Sequence, residues 1–188
     1  MTDVLTLFRE SGALLEGHFR LSSGLHSNGY LQSALVLQHP RHAETLGRAL
    51  AARVAPHGPT AVLSPALGGI VIGHEVARAL GVRAVFAERQ DGALALRRGF
   101  AIGAGDRLVV IEDVVTTGGS TRETIDVATA HGAEVVAAGS IIDRSGGASS
   151  LPVPYHALVT LSLPTWQESE CPLCRQGIPA VKPGSRKT

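Results

Sequence analysis

Lysine is nearly absent from this 188-residue chain: its two lysines, Lys182 and Lys187, both lie in the last seven positions. Chemistry in the rest of the chain that needs a positive charge must therefore use arginine or histidine. Cysteine is also scarce, and the pair Cys171 and Cys174 cannot form the multi-disulfide framework of a small secreted protein. Aromatic residues make up 4% and the net charge is +1, which argues against a nucleic-acid binder with a basic or stacking surface.

Long apolar runs are missing as well. No run reaches the roughly 18 residues that a membrane helix needs. The first residues include Asp3 and Glu10 and lack the basic-then-apolar order of a signal peptide. We therefore expect a cytoplasmic protein with neither a membrane nor a nucleic-acid partner. The apolar content of 44% is enough for one compact core.

Apolar strands alternate with amphipathic helices through the middle of the chain. The pattern predicts strands at 60–64, 82–87, 107–112, 134–142 and 155–162, and helices at 39–54, 70–80 and 120–131. This alternation is typical of an α/β fold with a mainly parallel sheet flanked by helices. The first 35 residues and the C-terminal tail do not fit it, and we expect them to build an accessory lobe.

The segment from Leu108 to Glu123, LVVIEDVVTTGGSTRE, carries the strongest chemical signal. Glu112 and Asp113 end a predicted buried strand, and a loop rich in threonine, glycine and serine then opens a helix. Ser120 and Glu123 have the spacing of a capping box, which places the helix start there. Free N–H groups at a helix start, hydroxyls and glycines suit a phosphate group. The loop lacks the lysine of a Walker A motif, which argues against ATP binding by that route.

The two acids beside this loop have a different task, because carboxylates repel a phosphate. They can accept hydrogen bonds from sugar hydroxyls, directly or through Mg²⁺ and its waters. They also end a strand at the edge where open α/β sheets bind ligands. The segment therefore predicts a ribose 5-phosphate site. The alternative is an acid pair beside an ordinary serine-rich turn, and the density of acids, hydroxyls and glycines makes it the weaker interpretation.

The stretch VVIEDVVTTGGST (109–121) resembles the phosphoribosyl-pyrophosphate (PRPP) signature of type I phosphoribosyltransferases. Other segments narrow the resemblance to the orotate phosphoribosyltransferase family. They are Leu21-Ser22-Ser23-Gly24 with Ser27, Pro65-Ala66-Leu67-Gly68-Gly69-Ile70, Phe86-Ala87-Glu88-Arg89 and Ile142-Asp143-Arg144. The resemblance implies transfer of a phosphoribosyl group from PRPP to orotate, giving orotidine 5′-monophosphate and diphosphate in pyrimidine biosynthesis.

The resemblance also implies roles for individual residues. It places Asp113 and Arg89 in catalysis. It implies PRPP binding by Glu112, Asp113, Val114, Val115, Thr116, Thr117, Gly118, Gly119, Ser120, Arg89, Arg97, Arg98, Leu67 and Gly68. It implies orotate binding by Thr116, Arg144, Tyr30 and Leu31. Mg²⁺ would be bound through PRPP and the pair Glu112 and Asp113.

The architecture implied by the resemblance is a single domain over residues 1–188. A small N-terminal hood (1–38) precedes a five-stranded α/β core (39–162), and a tail with a C-x-x-C motif (163–188) follows. The family implies a homodimer in which a mobile loop of one subunit closes over the diphosphate in the site of its neighbour.

The sequence departs from the family pattern in its cations. Lysines that the family often carries near Ser22, near Gly68 and in the mobile loop are missing, and the loop also lacks the family's histidine. The corresponding stretch, Glu88–Gly99, is short and offers Arg89, Arg97 and Arg98. We expect these arginines to act on the diphosphate by charge alone, because a guanidinium does not easily donate a proton.

Arg144 could present its planar guanidinium to the orotate carboxylate or to a ring carbonyl, or it could form an ion pair with Asp143 or another strand-end acid. Among the eight histidines we single out His26, which lies close in sequence to the segment over the orotate. The pair Cys171 and Cys174 has the spacing of half a zinc site, whose other half could come from His156 or a dimer partner. A disulfide or two free thiols is an equal alternative.

Two other functions stay open at this point. The first is a phosphoribosyltransferase for a purine or another base, since the ribose-phosphate motif is shared. The second is a regulator that kept the fold and binds a nucleotide or RNA. Arg144 and the segment around Ser23 favour orotate, and orotate consumption with PRPP and Mg²⁺ would separate the three.

Overall fold

The computed structural model describes residues 3–21 and 23–183, so residues 1–2, Ser22 and residues 184–188 lie outside the described chain. The chain divides into two compact units. We call Leu37–Leu161 the core unit, and the residues up to Val36 together with those from Ser162 onward the terminal unit. None of the described helices is both long and apolar enough to cross a membrane.

The elements follow one another in an order that alternates strands and helices through the core unit. The helices are α1 (Val4–Glu10), α2 (Ser33–Leu37), α3 (Pro40–Val54), α4 (Gly68–Leu80), α5 (Gly119–Ala130) and α6 (Pro172–Arg175), with 3₁₀ turns at Ala55–His57 and Glu168–Glu170. The strands are β1 (Leu14–Arg20), β2 (His26–Leu31), β3 (Ala61–Pro65), β4 (Arg83–Gln90), β5 (Ala93–Leu96), β6 (Arg107–Val115), β7 (Glu134–Asp143), β8 (Tyr155–Thr160) and β9 (Thr165–Trp166).

The core unit contains a six-stranded sheet in the order β5-β4-β3-β6-β7-β8. The five strands from β4 to β8 in this order are parallel, and β5 pairs antiparallel with β4. The predicted mainly parallel five-stranded sheet is therefore confirmed, with one antiparallel edge strand added. That strand belongs to a hairpin whose turn residues, Asp91 and Gly92, have φ of 51° and 89°. Positive φ at both central residues is what a type I′ turn requires, and this two-residue turn is favoured in hairpins because its twist matches that of the two strands.

The core is centred on β6, which lies between β3 and β7. Leu108, Val109, Val110 and Ile111 are all fully buried, as expected for a strand covered on both faces. Leu46, Leu50 and Val54 of α3 are fully buried or nearly so, which follows their spacing along one helix face. Burial of each such side chain contributes about 1.5–3 kcal/mol to folding stability, and the helices that pack on β6 itself are α4 and α5.

Two boundaries at the site differ from the sequence prediction. Strand β6 continues beyond the acids to Val115, because its pairing with β7 extends to the register Val115 and Asp143. The capping-box interpretation is wrong: α5 begins after an N-cap at Gly118, with no side-chain cap. The carboxylate of Glu123 instead accepts hydrogen bonds from the backbone N–H of Leu94 and from Arg89.

The terminal unit is built on an antiparallel sheet in the order β1-β2-β9. Its third strand comes from the tail, because His26 and Ser27 pair with Trp166 and Thr165. Further along the tail, the Val181 N–H donates a hydrogen bond to the His18 carbonyl, and the Val181 carbonyl accepts one from the Arg20 N–H. The residues at the two ends of the sequence thus form one compact unit.

Candidate active site

The end of β6 and the start of α5 enclose a small polar cavity of about 50 Å³. The predicted residues 112–120 run from the last part of β6 through the connecting turn to the first residues of α5. The cavity is lined by Glu112, Val114, Thr116, Thr117, Gly118, Gly119 and Ser120. The first N–H groups of an α-helix have no partner within the helix, so the start of α5 offers donors to an anion here.

Glu112 faces this cavity from the strand end. Its carboxylate accepts a hydrogen bond from the Thr121 hydroxyl on the first turn of α5. Burial, with a smaller contribution from the neighbouring Asp113 carboxylate, raises the pKa of Glu112 from 4.5 to about 7, against the opposing effect of the Thr121 hydrogen bond. Glu112 therefore changes its charge near neutral pH, which is unusual for a carboxyl group.

The second acid lies against a different loop. A Cβ added to Gly68 would stand 2.6 Å from Asp113 Oδ1, so glycine is needed for this carboxylate to approach the backbone at the start of α4. The preceding residue, Leu67, is 84% exposed, and the Ala66–Leu67 peptide bond is cis. The structure therefore brings together two predicted groups, the acid pair and Gly68.

Arg122 is hydrogen-bonded to the threonine loop that follows β6. It was not among the predicted site residues. Its Nη1 donates to the Thr117 carbonyl (3.0 Å), and its Nε and Nη2 donate to the Ser150 carbonyl (3.0 and 2.8 Å). One planar guanidinium thus joins the threonine loop to the segment between β7 and β8. The sequence places Arg122 on the first turn of the helix after the loop, which was a signal that it lies near the site. Its bond to the Ser150 carbonyl could not be read from the sequence.

Arg144 follows β7 and lies beside the beginning of the same loop. Its backbone N–H donates to the Val115 carbonyl (2.7 Å). Burial lowers the pKa of its guanidinium, and its Nε is buried without a hydrogen-bond partner among the described residues. The Asp143 carboxylate accepts from the Ser145 N–H (2.7 Å), and within the described chain it forms no ion pair with Arg144. The ion pair with Asp143 is therefore not formed among the described residues, and a pair with another strand-end acid stays a prediction.

The three hairpin arginines are engaged by acids. Arg89 donates to the Gly92 carbonyl (2.7 Å) and forms an ion pair with Glu123 (2.7 Å). Arg98 pairs with Glu88 at 2.9 Å, and Arg97 is 4.0 Å from the same carboxylate. Within the described residues no hydrogen bond joins these arginines to Glu112 or the threonine loop, and their predicted roles stay predictions.

The other predicted residues lie in the terminal unit. Tyr30 and Leu31 end β2, and their role in orotate binding stays a prediction. Cys171 and Cys174 are near His18 and His26, a partnership that their sequence separation concealed. His156 was considered as a partner for the cysteines, but its Nε2 is instead 2.8 Å from His57 Nε2 in the core unit.

A larger cleft of about 400 Å³ lies between α3 and α4. Its lining is mostly alanine with Arg48 and Arg78, and it contains no acid and no hydroxyl. Since it lacks the carboxylates and hydroxyls that meet at the strand ends, the candidate site is the smaller polar cavity there.

Comparison with known proteins agrees with this location. A model of the phosphoribosyl transferase domain matches residues 35–176, which include the whole candidate site. Over 185 residues the chain is 54% identical to the orotate phosphoribosyltransferase of Pelotomaculum thermopropionicum, covering 98% of this chain and 97% of that protein. It is 55% identical to the orotate phosphoribosyltransferase of Heliobacterium modesticaldum, covering 97% of each.

A solved structure shares the same architecture. The crystal structure of orotate phosphoribosyltransferase from Aeropyrum pernix aligns with a TM-score of 0.71 at 25% identity. The alignment covers 85% of this chain and 94% of that one. The similarity therefore extends over nearly the full length of both proteins.

Proposed function

The chain belongs to the orotate phosphoribosyltransferases within the phosphoribosyl transferase family, and we propose that it transfers the phosphoribosyl group of PRPP to orotate. The products are orotidine 5′-monophosphate and diphosphate. A location in the cytoplasm, expected from the sequence, is part of this proposal.

The cavity at the end of β6 would hold the ribose 5-phosphate. The hydroxyls of Thr116, Thr117 and Ser120 and the N–H groups at the start of α5 are donors that suit the phosphate oxygens. The carboxylates of Glu112 and Asp113 are acceptors that suit the ribose hydroxyls. This division follows from charge, because an acid placed on the phosphate would repel it.

The observation that carries the choice of orotate is the unpartnered Nε of Arg144. A buried guanidinium N–H without an acceptor is costly, which favours a ligand that supplies one. Orotate offers a carboxylate and ring carbonyls, and a planar guanidinium binds a carboxylate with two parallel hydrogen bonds. A neutral purine offers no carboxylate for such a pair.

The reaction needs no nucleophile from the enzyme. N1 of deprotonated orotate forms a bond to C1 of the ribose, the bond from C1 to the diphosphate oxygen breaks, and its electron pair leaves with diphosphate. The transition state resembles an oxocarbenium ion, as in glycoside cleavage. The protein would position the two substrates, exclude water and stabilise the leaving group.

The donor set fits Mg²⁺, which prefers oxygen ligands and is commonly bound through one or two carboxylates together with a substrate phosphate. Glu112 provides such a carboxylate at the cavity, and the carboxylate of the next residue, Asp113, lies against Gly68 of the neighbouring loop. These two residues would hold the ion together with PRPP, where it would neutralise charge on the diphosphate.

The hairpin of β4 and β5 would supply the remaining positive charge. Lysine is absent before position 182, and this hairpin region carries Arg89, Arg97 and Arg98. We include in the proposal a homodimer in which the hairpin acts at the site of the neighbouring subunit. The support for this part is the family resemblance and the charge of the hairpin.

The decisive experiment replaces Arg144 by alanine and measures steady-state kinetics for both substrates. Loss of a hydrogen-bonded charge costs about 1.5–3 kcal/mol, so KM for orotate should rise by at least about tenfold while KM for PRPP changes by less than about twofold. Arg107→Ala is the matched control, because Arg107 begins β6 and pairs with the exposed Glu134 (2.6 Å). Equal effects on both substrates would contradict the role of Arg144, and efficient use of a purine in place of orotate would overturn the proposed function.

A further inference from the structure

Four potential metal ligands meet in the terminal unit, away from the residues assigned to the reaction. They are His18 on β1, His26 on β2, and Cys171 and Cys174 at the start and within α6. One ligand atom from each residue lies within 4.8 Å of all the others. His18, His26 and Cys171 are buried, with 4%, 3% and 0% of their surface exposed.

The distances within this cluster match a single tetrahedral ion. With Zn–N of about 2.05 Å and Zn–S of about 2.3 Å, tetrahedral angles place nitrogen and sulfur ligands about 3.6 Å apart. His18 Nε2 is 3.4 Å from Cys171 Sγ and 3.8 Å from Cys174 Sγ, and His26 Nδ1 is 3.2 Å from Cys174 Sγ. The two nitrogens are 2.8 Å apart, so they need to separate by about half an ångström to reach the tetrahedral spacing of about 3.3 Å.

The histidine on β1 is already oriented for a metal. His18 Nδ1 is 2.7 Å from the Ile178 carbonyl oxygen, which can only accept, so the proton is on Nδ1 and the Nε2 lone pair points to the cluster. A metal-binding histidine typically donates its other N–H to such a carbonyl. The register of β1 against β2 shifts between Glu16 and Phe19, and His18 lies inside this bulge. Bulges re-aim side chains, and here His18 and the adjacent Phe19 are both buried.

The mixed arrangement of nitrogen and sulfur favours one ion over a two-iron cluster. In a cluster with two cysteines and two histidines, each pair binds a different iron. In this protein His18 Nε2 is close to both sulfur atoms, so the four ligands surround one point. Two thiolates and two imidazoles around one point are the ligand set of a structural zinc site.

We propose that His18, His26, Cys171 and Cys174 bind one Zn²⁺ ion, which fastens the C-terminal segment to the β1–β2 hairpin. The site is structural, because four protein ligands leave no position for a substrate or water. The ligands from the two ends of the chain are about 150 residues apart in sequence. The ion therefore closes a long loop and adds to the short pairing between β2 and β9. This proposal is independent of the proposed function.

The first test is the metal content of the full chain, purified without added metal or strong chelator and measured by elemental mass spectrometry. We expect about one zinc per chain in the wild type, and less than about a tenth of that in Cys174→Ala and His26→Ala. His156→Ala is the matched control. His156 also has a ring nitrogen close to another histidine, His57 (2.8 Å), but it lies outside the cluster, so this variant should keep its zinc.

The second test uses the wild type, so that a misfolded variant cannot decide the outcome. Zinc is removed with a chelator under reducing conditions and then added back, while amide hydrogen exchange is followed in β9 and α6. We expect exchange there to accelerate by at least about tenfold on removal and to recover with Zn²⁺ but not with Mg²⁺.

Four results would overturn the zinc site. The first is a wild type that contains no zinc and does not bind added Zn²⁺. The second is a disulfide between Cys171 and Cys174 in protein purified under reducing conditions. The third is unchanged zinc content in both ligand variants. Iron in place of zinc, with two atoms per chain, would equally contradict it.

Discussion

Glu112 titrates near the pH at which the enzyme is expected to work, and this leads to a quantitative prediction. Burial raises the pKa of Glu112 to about 7, while a ribose hydroxyl needs the ionised carboxylate as its acceptor. The informative perturbation is Glu112→Gln. Glutamine keeps the shape and an oxygen that accepts from Thr121, but it stays neutral at every pH, like the protonated wild-type side chain.

The kinetic magnitude follows from the ionised fraction. With a pKa of about 7, the carboxylate is about nine-tenths ionised at pH 8 and about one-tenth ionised at pH 6. If only the ionised form binds ribose well, KM for PRPP should rise about tenfold from pH 8 to pH 6 in the wild type. Glu112→Gln should show no such change. Its KM should exceed the wild-type value at every pH, by at least about tenfold at pH 8 and by less at pH 6, where only about one-tenth of the wild-type side chain is ionised.

Stability should move in the opposite direction. The folded pKa of Glu112 lies above the unfolded value of 4.5, so the folded state holds the extra proton between these values. Its contribution to stability is therefore full below about pH 4.5 and is lost as pH rises through about 7. Since one pKa unit corresponds to about 1.4 kcal/mol, Glu112→Gln should gain at most about 3 kcal/mol over the wild type between pH 5 and pH 8.

The assay combines PRPP kinetics with urea unfolding of the substrate-free protein, each at pH 6, 7 and 8. Glu134→Gln is the control, because Glu134 is an exposed carboxylate at the far end of the adjacent strand, with 61% of its side chain accessible. Parallel pH profiles for the wild type and Glu112→Gln, in both kinetics and stability, would refute the assignment of a titrating acceptor to Glu112.

Two further predictions concern the neighbouring loops. Gly68→Ala should lower kcat/KM for PRPP by at least about tenfold, because the added Cβ would stand 2.6 Å from Asp113 Oδ1. Gly103→Ala is the control and should leave kcat/KM within about twofold of the wild type, because its Cβ would be 3.5 Å from the His131 carbonyl oxygen. If the hairpin serves the neighbouring site, a mixed dimer of Arg89→Ala and Asp113→Asn subunits should recover up to about half of wild-type activity; inactive mixed dimers would place Arg89 in its own site.

The core elements were predictable because their signals are local. The periodicity of α3 and the apolar run of β6 identify a helix and a buried strand without knowledge of distant residues. The pair Asp91 and Gly92 likewise indicates a hairpin. The extension of β6 to Val115 was missed because it depends on pairing with β7, which local pattern does not reveal. The capping box failed for a similar reason, since a partner 34 residues away in sequence, Arg89, occupies Glu123.

The candidate site was predictable to the extent that it is contiguous in sequence. The acids and the threonine loop follow one another along one strand and one turn, so their chemistry is visible in a single segment. The contact between Asp113 and Gly68 joins two loops and was accessible through family resemblance alone. Arg122 was missed because its task depends on the Ser150 carbonyl, and a backbone acceptor has no signature in the sequence. The grouping of His18 and His26 with Cys171 was missed because about 150 residues separate them in sequence.

The absence of lysine bears on how the hairpin would work. In this structure Arg98 is held by Glu88 and Arg89 by Glu123, and these arginine side chains are 60% and 51% exposed. The acid partners, Glu88 and Glu123, are 18% and 31% exposed, so solvent at the exposed guanidinium ends weakens each pair only in part, and the diphosphate must compensate for the pair it replaces. Diphosphate carries more charge than either carboxylate and accepts two parallel hydrogen bonds from a guanidinium. On the proposed function, Glu88 and Glu123 would therefore bind the arginines in the absence of PRPP, and the diphosphate group of bound PRPP would replace these acids as the partner of the arginines.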